Sequence, residues 1–171
     1  MSIEWQAIFK GVPGADHIVP VLARLVAAAL VGGMIGLERL RDGKEAGLRT
    51  HILVALGSAL FVLIPLEAGM TSADISRIMQ GLATGIGFLG AGCILKLTET
   101  RHVEGLTTAA SIWLTAALGI AIGSGWLWPA LLGTVMTWIV LYGLQGVEHR
   151  LRKAYGPRAE QAEHAERKPG Q

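Results

Sequence analysis

At 171 residues, 51% hydrophobic and only 16% charged, with a mean hydropathy of +0.47, the chain is too apolar, in blocks too long, for an ordinary soluble domain. A net charge of +2, with basic residues scattered among short connectors, excludes the dense basic patch of a nucleic-acid-binding protein. One cysteine, Cys93, excludes an intrachain disulfide, and its apolar setting reads as a packed thiol.

The blocks predict an all-α fold, a polytopic transmembrane bundle of about five spans, because four or five of them approach or reach the about 20 residues that cross a bilayer. Three regions follow: a short leader over residues 1–17, a membrane domain over 18–147, and a polar tail over 148–171 that reads as a fraying helical extension. The leader lacks the basic start and small-residue cleavage site of a signal peptide and is expected to be retained.

The first span runs from about Ile18 to Leu37. Arg24 shares a helical face with Ala28, Val31, Ile35 and Glu38, and Gly32 and Gly36 form a G-x-x-x-G pair on a neighbouring face. At ~1.5 Å per residue Arg24 and Glu38 lie about 21 Å apart along one helix and cannot pair, so each needs a partner elsewhere. The connector Glu38 to Arg49 carries charges of both signs and reads chiefly as a solvated loop. A second span covers about Thr50 to Leu66. Thr71, Ser72 or Asp74 then caps the third helix, with Asp74 as a simple N-cap the plainest reading.

The third span, Ile75 to Lys96, organises the rest. Gly81, Gly85 and Gly92 fall on one helical face with Phe88 beside them, and Asp74 and Arg77 continue the stripe. The opposite face carries Ile75, Ile78, Met79, Leu82, Ile86, Leu89 and Cys93. The expectation is that the bulky face meets lipid while the glycine face lets a neighbouring helix approach closely. Gly85, Gly87 and Gly90 also spell G-x-G-x-x-G, but no strand pattern precedes them and they sit inside an apolar run, so nucleotide binding is not expected and no cofactor is implied.

After a loop from Lys96 to Gly105, a fourth span covers about Leu106 to Ile122. It carries Thr107, Ser111 and Thr115 at i, i+4 spacing, with Thr108 alongside: a candidate polar lining, or hydroxyls bonded back to their own helix. Trp126 and Trp128 stand at headgroup level, and a fifth span runs to about Val147. All but three of the fifteen Lys and Arg (Lys10, Arg24 and Arg77) fall in the first loop, the third loop and the tail. That bias places the N-terminus outside and the C-terminus in the cytoplasm.

The segments GLERLRDGKEAGLRTHILVALGSALF, ADISRIMQGLATGIGFLGAGCIL and VEGLTTAASIWLTAALGIAIGSG occur in this order and resemble signature blocks of the MgtC/SapB family of bacterial membrane proteins. The resemblance covers roughly Arg24 to Gly125. It implies a multi-pass protein of the bacterial inner (plasma) membrane, connected with growth at low magnesium and, in pathogens, with survival inside host cells. Some members are thought to restrain the membrane sector of the ATP synthase. Longer members carry a folded cytoplasmic domain after the last span, for which this tail is too short and polar. The family pattern falls on Arg24, Glu38, Arg49, Asp74, Arg77, Gln80 and the run Gly85 to Gly92. The charged ones stand out physically as well, because charge at a membrane boundary is costly unless paired or solvated, and an Arg24–Asp74 pair across the first and third helices is expected.

Two functions fit. One is a non-enzymatic regulator that docks through its membrane helices on a complex such as the ATP synthase. The other is an oligomeric channel or transporter for an ion or small solute; against it, no apolar span has a carboxylate near its midpoint. Catalysis is not expected, because no nucleophile and base share a motif. His51 and His102 lack metal-ligand spacing and read as boundary residues, so no metal site is expected. The implied partners are the lipid bilayer, a membrane protein complex and a second copy of the chain.

Overall fold

The computed structural model describes residues 15–97 and 102–144, with side chains described over 17–94 and 105–144. Among the described residues five α-helices follow one another: α1 (Ala15–Arg41), α2 (Leu48–Glu67), α3 (Ser72–Gly92), α4 (Leu106–Gly123) and α5 (Leu127–Trp138). The connector between α3 and α4, expected to be a loop, contains a small antiparallel hairpin, β1 (Leu95–Leu97) with β2 (His102–Glu104), in the register Leu95 to Glu104 and Leu97 to His102. Gly105 follows at φ +89°, where a side chain would run into the Cys93 carbonyl. The leader over 1–14, the residues 98–101 and the tail beyond 144 lie outside the described residues.

The chain divides into two compact units, Met1–Leu131 and Leu132–Gln171. In the second, α5 passes into a π-helical turn, Ile139–Gly143, where the Trp138 and Tyr142 rings stack 5.2 Å apart.

In the first unit α2 and α4 form the centre, α1 packs along both, and α3 lies against α4 and α2. Among the described residues three helices are long and apolar enough to cross a membrane: His17–Arg41, Leu48–Glu67 and Leu106–Gly123. Their outer surfaces carry Leu22, Leu30, Leu53, Phe61 and Trp113, all largely exposed, as helices facing hydrocarbon require. Lipid tails are as apolar as leucine, so helices associate through close packing and polar contacts. Four glycines provide that packing. A Cβ on Gly32 would stand 2.5 Å from the His51 carbonyl oxygen, and one on Gly36 2.7 Å from the Leu48 Cα. On α4, a Cβ on Gly119 would meet the Ala55 oxygen at 2.5 Å, and one on Gly123 the Ala59 oxygen at 2.6 Å. The expected Gly32 and Gly36 pair thus joins α1 to α2, and Gly119 and Gly123 join α4 to α2.

α3 is turned the other way from the expected orientation. Ile75 and Ile86 are buried against the bundle, while Gly81, Gly85, Gly87 and Gly92 have nothing within 4 Å of a Cβ position. Of the helix-packing glycines assigned to this span only Gly90 has a neighbour close to its Cβ position, Ala109, whose Cβ would stand 3.6 Å from it. Ile75 and Ile86 go inward, with Ile78, Met79 and Leu82 half-buried and Leu89 left exposed, because they fill the space beside α4, where Ile86 joins Ala46, Ile112 and Ala116 in one core cluster. Nearer its N-terminus α3 leaves an apolar cavity of about 450 Å³ whose walls include Ile75, Met79, Ile120 and Trp126.

Candidate functional site: a buried polar cluster at one end of the bundle

The end of the first unit that carries the α1–α2 loop holds a set of buried polar side chains. α1 stops in a Schellman cap. Lys44 N–H donates to the Arg39 carbonyl at 3.0 Å and Gly43 N–H to the Leu40 carbonyl at 3.1 Å, with Gly43 at φ +67°, a conformation that favours glycine. The turn folds the loop back over the last turn of α1. As a result Glu38 is only 9% exposed and Arg39 only 2%. The Arg39 Nη1 lies 3.6 Å from Glu38 Oε2 and 4.0 Å from Asp42 Oδ2. Both carboxylate oxygens of Glu38, and Nε of Arg39, are buried without a hydrogen bond among the described residues. Two opposite charges therefore hold each other by a long ion pair in a poorly solvated place, where losing either partner is far costlier than at a surface.

Beside this pair, His51 on the first turn of α2 is fully buried. Its Nδ1 lies 2.9 Å from the Gly47 carbonyl and its Nε2 3.1 Å from the Ser111 hydroxyl on α4. A carbonyl only accepts, so Nδ1 carries a proton, and in the neutral ring Nε2 accepts from Ser111. The Ser111 hydroxyl also lies 2.8 Å from the Thr108 carbonyl, the alternative acceptor of its single proton, and the Thr115 hydroxyl donates to the Ser111 carbonyl at 2.7 Å. Ser111 and Thr115 are buried as a polar stripe, whereas Thr107 lies outside on an exposed face; Thr108 takes the inward place. Among the described residues no three His, Cys, Asp or Glu side chains are grouped to hold a metal ion. The side chain of His102 lies outside the described residues.

The other predicted residues do not join this cluster. Arg49 is exposed. At the opposite end of the bundle, Arg24 Nη1 donates to the Gly123 carbonyl at 3.2 Å, satisfying an acceptor in the last turn of α4. The expected Arg24–Asp74 pair is not formed. Asp74 belongs to the cap of its own helix: Thr71 is the N-cap, its hydroxyl accepting from the Asp74 N–H at 3.3 Å and donating to Asp74 Oδ2 at 2.6 Å. Arg77 Nη1 then donates to Asp74 Oδ1 at 3.3 Å, one turn along. Gln80 is exposed beyond it. Sequence reasoning missed Arg39 and His51. Arg39 looked like one of four basic residues in a solvated loop, and nothing local marks it for burial. His51 did carry a signal, four residues after Gly47 at the start of an apolar helix, where an imidazole reaches back to the carbonyl that also accepts its own backbone N–H.

Residues 25–150 match the MgtC family. The chain belongs to the MgtC family. Among its relatives, protein SrpB of Synechococcus elongatus is 50% identical over 137 residues, 73% of this chain and 75% of that protein. The protein YhiD of Escherichia coli K12, named a putative magnesium transporter, is 44% identical over 76% of this chain and 63% of its own length. Protein MgtC of Salmonella typhimurium LT2 is 43% identical over 68% of this chain and 49% of its own. The chain thus spans about half the length of the Salmonella protein and under two thirds of YhiD. No solved structure matches it. Membership in the MgtC family and the three apolar helices make this a membrane protein of the MgtC type, and neither the family nor these relatives bear the name of an enzyme.

Proposed function

We propose that this MgtC-type protein is a non-enzymatic regulator in the bacterial inner membrane, crossing it several times with its N-terminus outside. In this reading it acts under magnesium limitation by docking on a membrane complex, with the membrane sector of the ATP synthase as the named candidate, and in a pathogen it serves survival inside host cells. One observation carries the reading: of the three hydroxyls that would line a solute path, two are spent on their own bundle and the third, that of Thr107, lies on an outer face. Ser111 and Thr115 are buried and directed at His51 or at backbone carbonyls of α4, which makes them the internal glue of a closed bundle.

The transport reading has support in the name of YhiD, a putative magnesium transporter. Purified protein in liposomes loaded with a magnesium-sensitive dye separates the two readings. The regulatory reading expects no saturable magnesium flux, together with tight co-purification of a membrane complex from native membranes. Saturable, selective flux from the purified chain alone would overturn it.

A further inference from the structure

At the end of the bundle opposite the Glu38–Arg39 pair, α2, α3, α4 and the start of α5 leave the apolar cavity of about 450 Å³ between them. Its walls include Leu66, Met79 and Ile120, and its rim carries the exposed Ser76 and Trp126, so it opens to the surroundings. The volume lies within the about 300–1,000 Å³ of small-molecule sites, whereas voids left by ordinary packing rarely exceed a water molecule. Water filling it would meet apolar walls that supply few of the about two to four polar partners each molecule needs. Two polar groups at this end have capacity to spare. Ser124, the C-cap of α4, lines the cavity, and its Oγ is buried without a hydrogen bond among the described residues. Native interiors seldom leave a hydroxyl so, and it points to a missing partner. Arg24 reaches the residues on both sides of Ser124: its Nη1 donates to the Gly123 carbonyl at 3.2 Å, and its Nη2 lies 3.0 Å from where a Cβ on Gly125 would stand. That bond leaves its other donors unused, and among the described residues no carboxylate pairs with it. α4 is long and apolar enough to cross a membrane and ends at Gly123, which puts this cation, with Trp126, at headgroup level.

We propose that the cavity binds an acyl chain of one anionic phospholipid, whose ester carbonyl accepts from the Ser124 hydroxyl and whose phosphate is held by Arg24. Cavity, hydroxyl and cation match the three parts of such a molecule: chain, ester and headgroup. A purely apolar ligand would fill the cavity and leave both polar groups as they are. The charge decides between headgroups. An ammonium on a zwitterionic headgroup would stand against Arg24, whereas a headgroup of net negative charge gives the guanidinium a charge-assisted bond without that repulsion. Acyl chains are as apolar in the bilayer as against Met79 or Ile120, so the chain contributes fit and the headgroup contributes selectivity. Occupancy therefore depends on the free volume beside α3, and preference among lipids depends on Arg24. The inference is independent of the regulatory reading, since a bound lipid is compatible with a regulator and with a transporter.

Mass measurement of the intact complex tests it. The full chain, purified in a mild detergent, is incubated with equal amounts of phosphatidylglycerol and phosphatidylethanolamine that carry identical acyl chains. The expected result is one phosphatidylglycerol on each 18.1 kDa chain, preferred over phosphatidylethanolamine by about fivefold. Ser76→Trp places a ring in the cavity from the exposed flank of α3 and should lower retention by about tenfold. Ala117→Leu, which fills part of the cavity from α4, should lower it as well, and keeps the test valid if the tryptophan variant does not fold. Arg24→Gln should still retain lipid but bring the ratio of the two headgroups close to one, a readout that does not depend on how much protein is folded. No retained lipid, equal retention of the two headgroups by the unaltered chain, or a free fatty acid as the retained species would overturn the proposal. So would unchanged retention in folded Ser76→Trp and Ala117→Leu, or an unchanged headgroup ratio in Arg24→Gln.

Discussion

The His51 ring and the Ser111 hydroxyl lie 3.1 Å apart and sixty residues apart in sequence, and both are buried where α2 meets α4. The hydroxyl is the partner of the ring's Nε2, while Ser111 itself also has the Thr108 carbonyl within reach at 2.8 Å. Ser111→Ala removes the group facing Nε2 and leaves the ring nitrogen buried without a partner. Such a loss costs about 1–3 kcal/mol. Unfolding of the detergent-solubilised protein in a denaturing detergent series should show a shift of that size, and a midpoint equal to that of the unaltered chain would mean that the contact contributes nothing.

Two classes of glycine make opposite predictions. A methyl group on Gly119 would meet the Ala55 carbonyl oxygen, and one on Gly32 the His51 carbonyl oxygen, each at 2.5 Å. Backbone cannot give way as a side-chain tip can, so Gly32→Ala and Gly119→Ala should each destabilise by about 1–3 kcal/mol. Gly81→Ala meets nothing within 4 Å and replaces the residue least suited to a helix interior, so it should stabilise the isolated chain by up to about 1 kcal/mol. Thermal unfolding of the three variants, each as a monomer in detergent, checks the contrast; equal effects would show that the close approaches are not tight.

This contrast also shows how far the sequence could be read. Five helices, the inward stripe of α1 through Ala28, Ile35 and Glu38, and the close approach at Gly32 and Gly36 are all visible in it, because periodicity and small-residue spacing depend on local geometry alone. The orientation of α3 was not. Its wheel has one bulky and one small face, and in lipid no hydrophobic force decides which turns inward. Packing against Ile112 and Ala116 decided it, and those contacts are long-range. Gly119 and Gly123 carried the same G-x-x-x-G spacing as Gly32 and Gly36 and were legible in principle. The burial of Arg39 was not, since it depends on how a loop folds back over its own helix.

Arg24 and Asp74 should respond independently. Arg24 holds the Gly123 carbonyl, a bond made by a charged donor, so Arg24→Leu should lower stability by about 1.5–3 kcal/mol. Asp74 is half-exposed in a pair with the exposed Arg77, and such pairs are worth about 0–1 kcal/mol, so Asp74→Asn should change little beyond a weaker cap. The double variant should equal the sum of the two within about 0.5 kcal/mol, as separated sites do. A larger coupling in the double-mutant cycle would restore the direct pairing that the structure replaces with two separate contacts.

The Glu38–Arg39 pair should give the reverse pattern. Arg39→Gln leaves the Glu38 carboxylate buried with both oxygens unbonded and its nearest cation gone, a loss of about 3–5 kcal/mol for a buried pair. Glu38→Gln keeps a polar side chain beside Arg39, and Asp42 still stands 4.0 Å from the guanidinium, so its cost should be smaller. Removing both charges abolishes the desolvation cost together with the attraction. Glu38→Gln combined with Arg39→Gln should therefore be more stable than Arg39→Gln alone. Measured in one detergent at one ionic strength, that ordering identifies charge burial as the dominant energy at this end of the bundle. A double variant less stable than either single would instead show that hydrogen-bonding shape outweighs charge there.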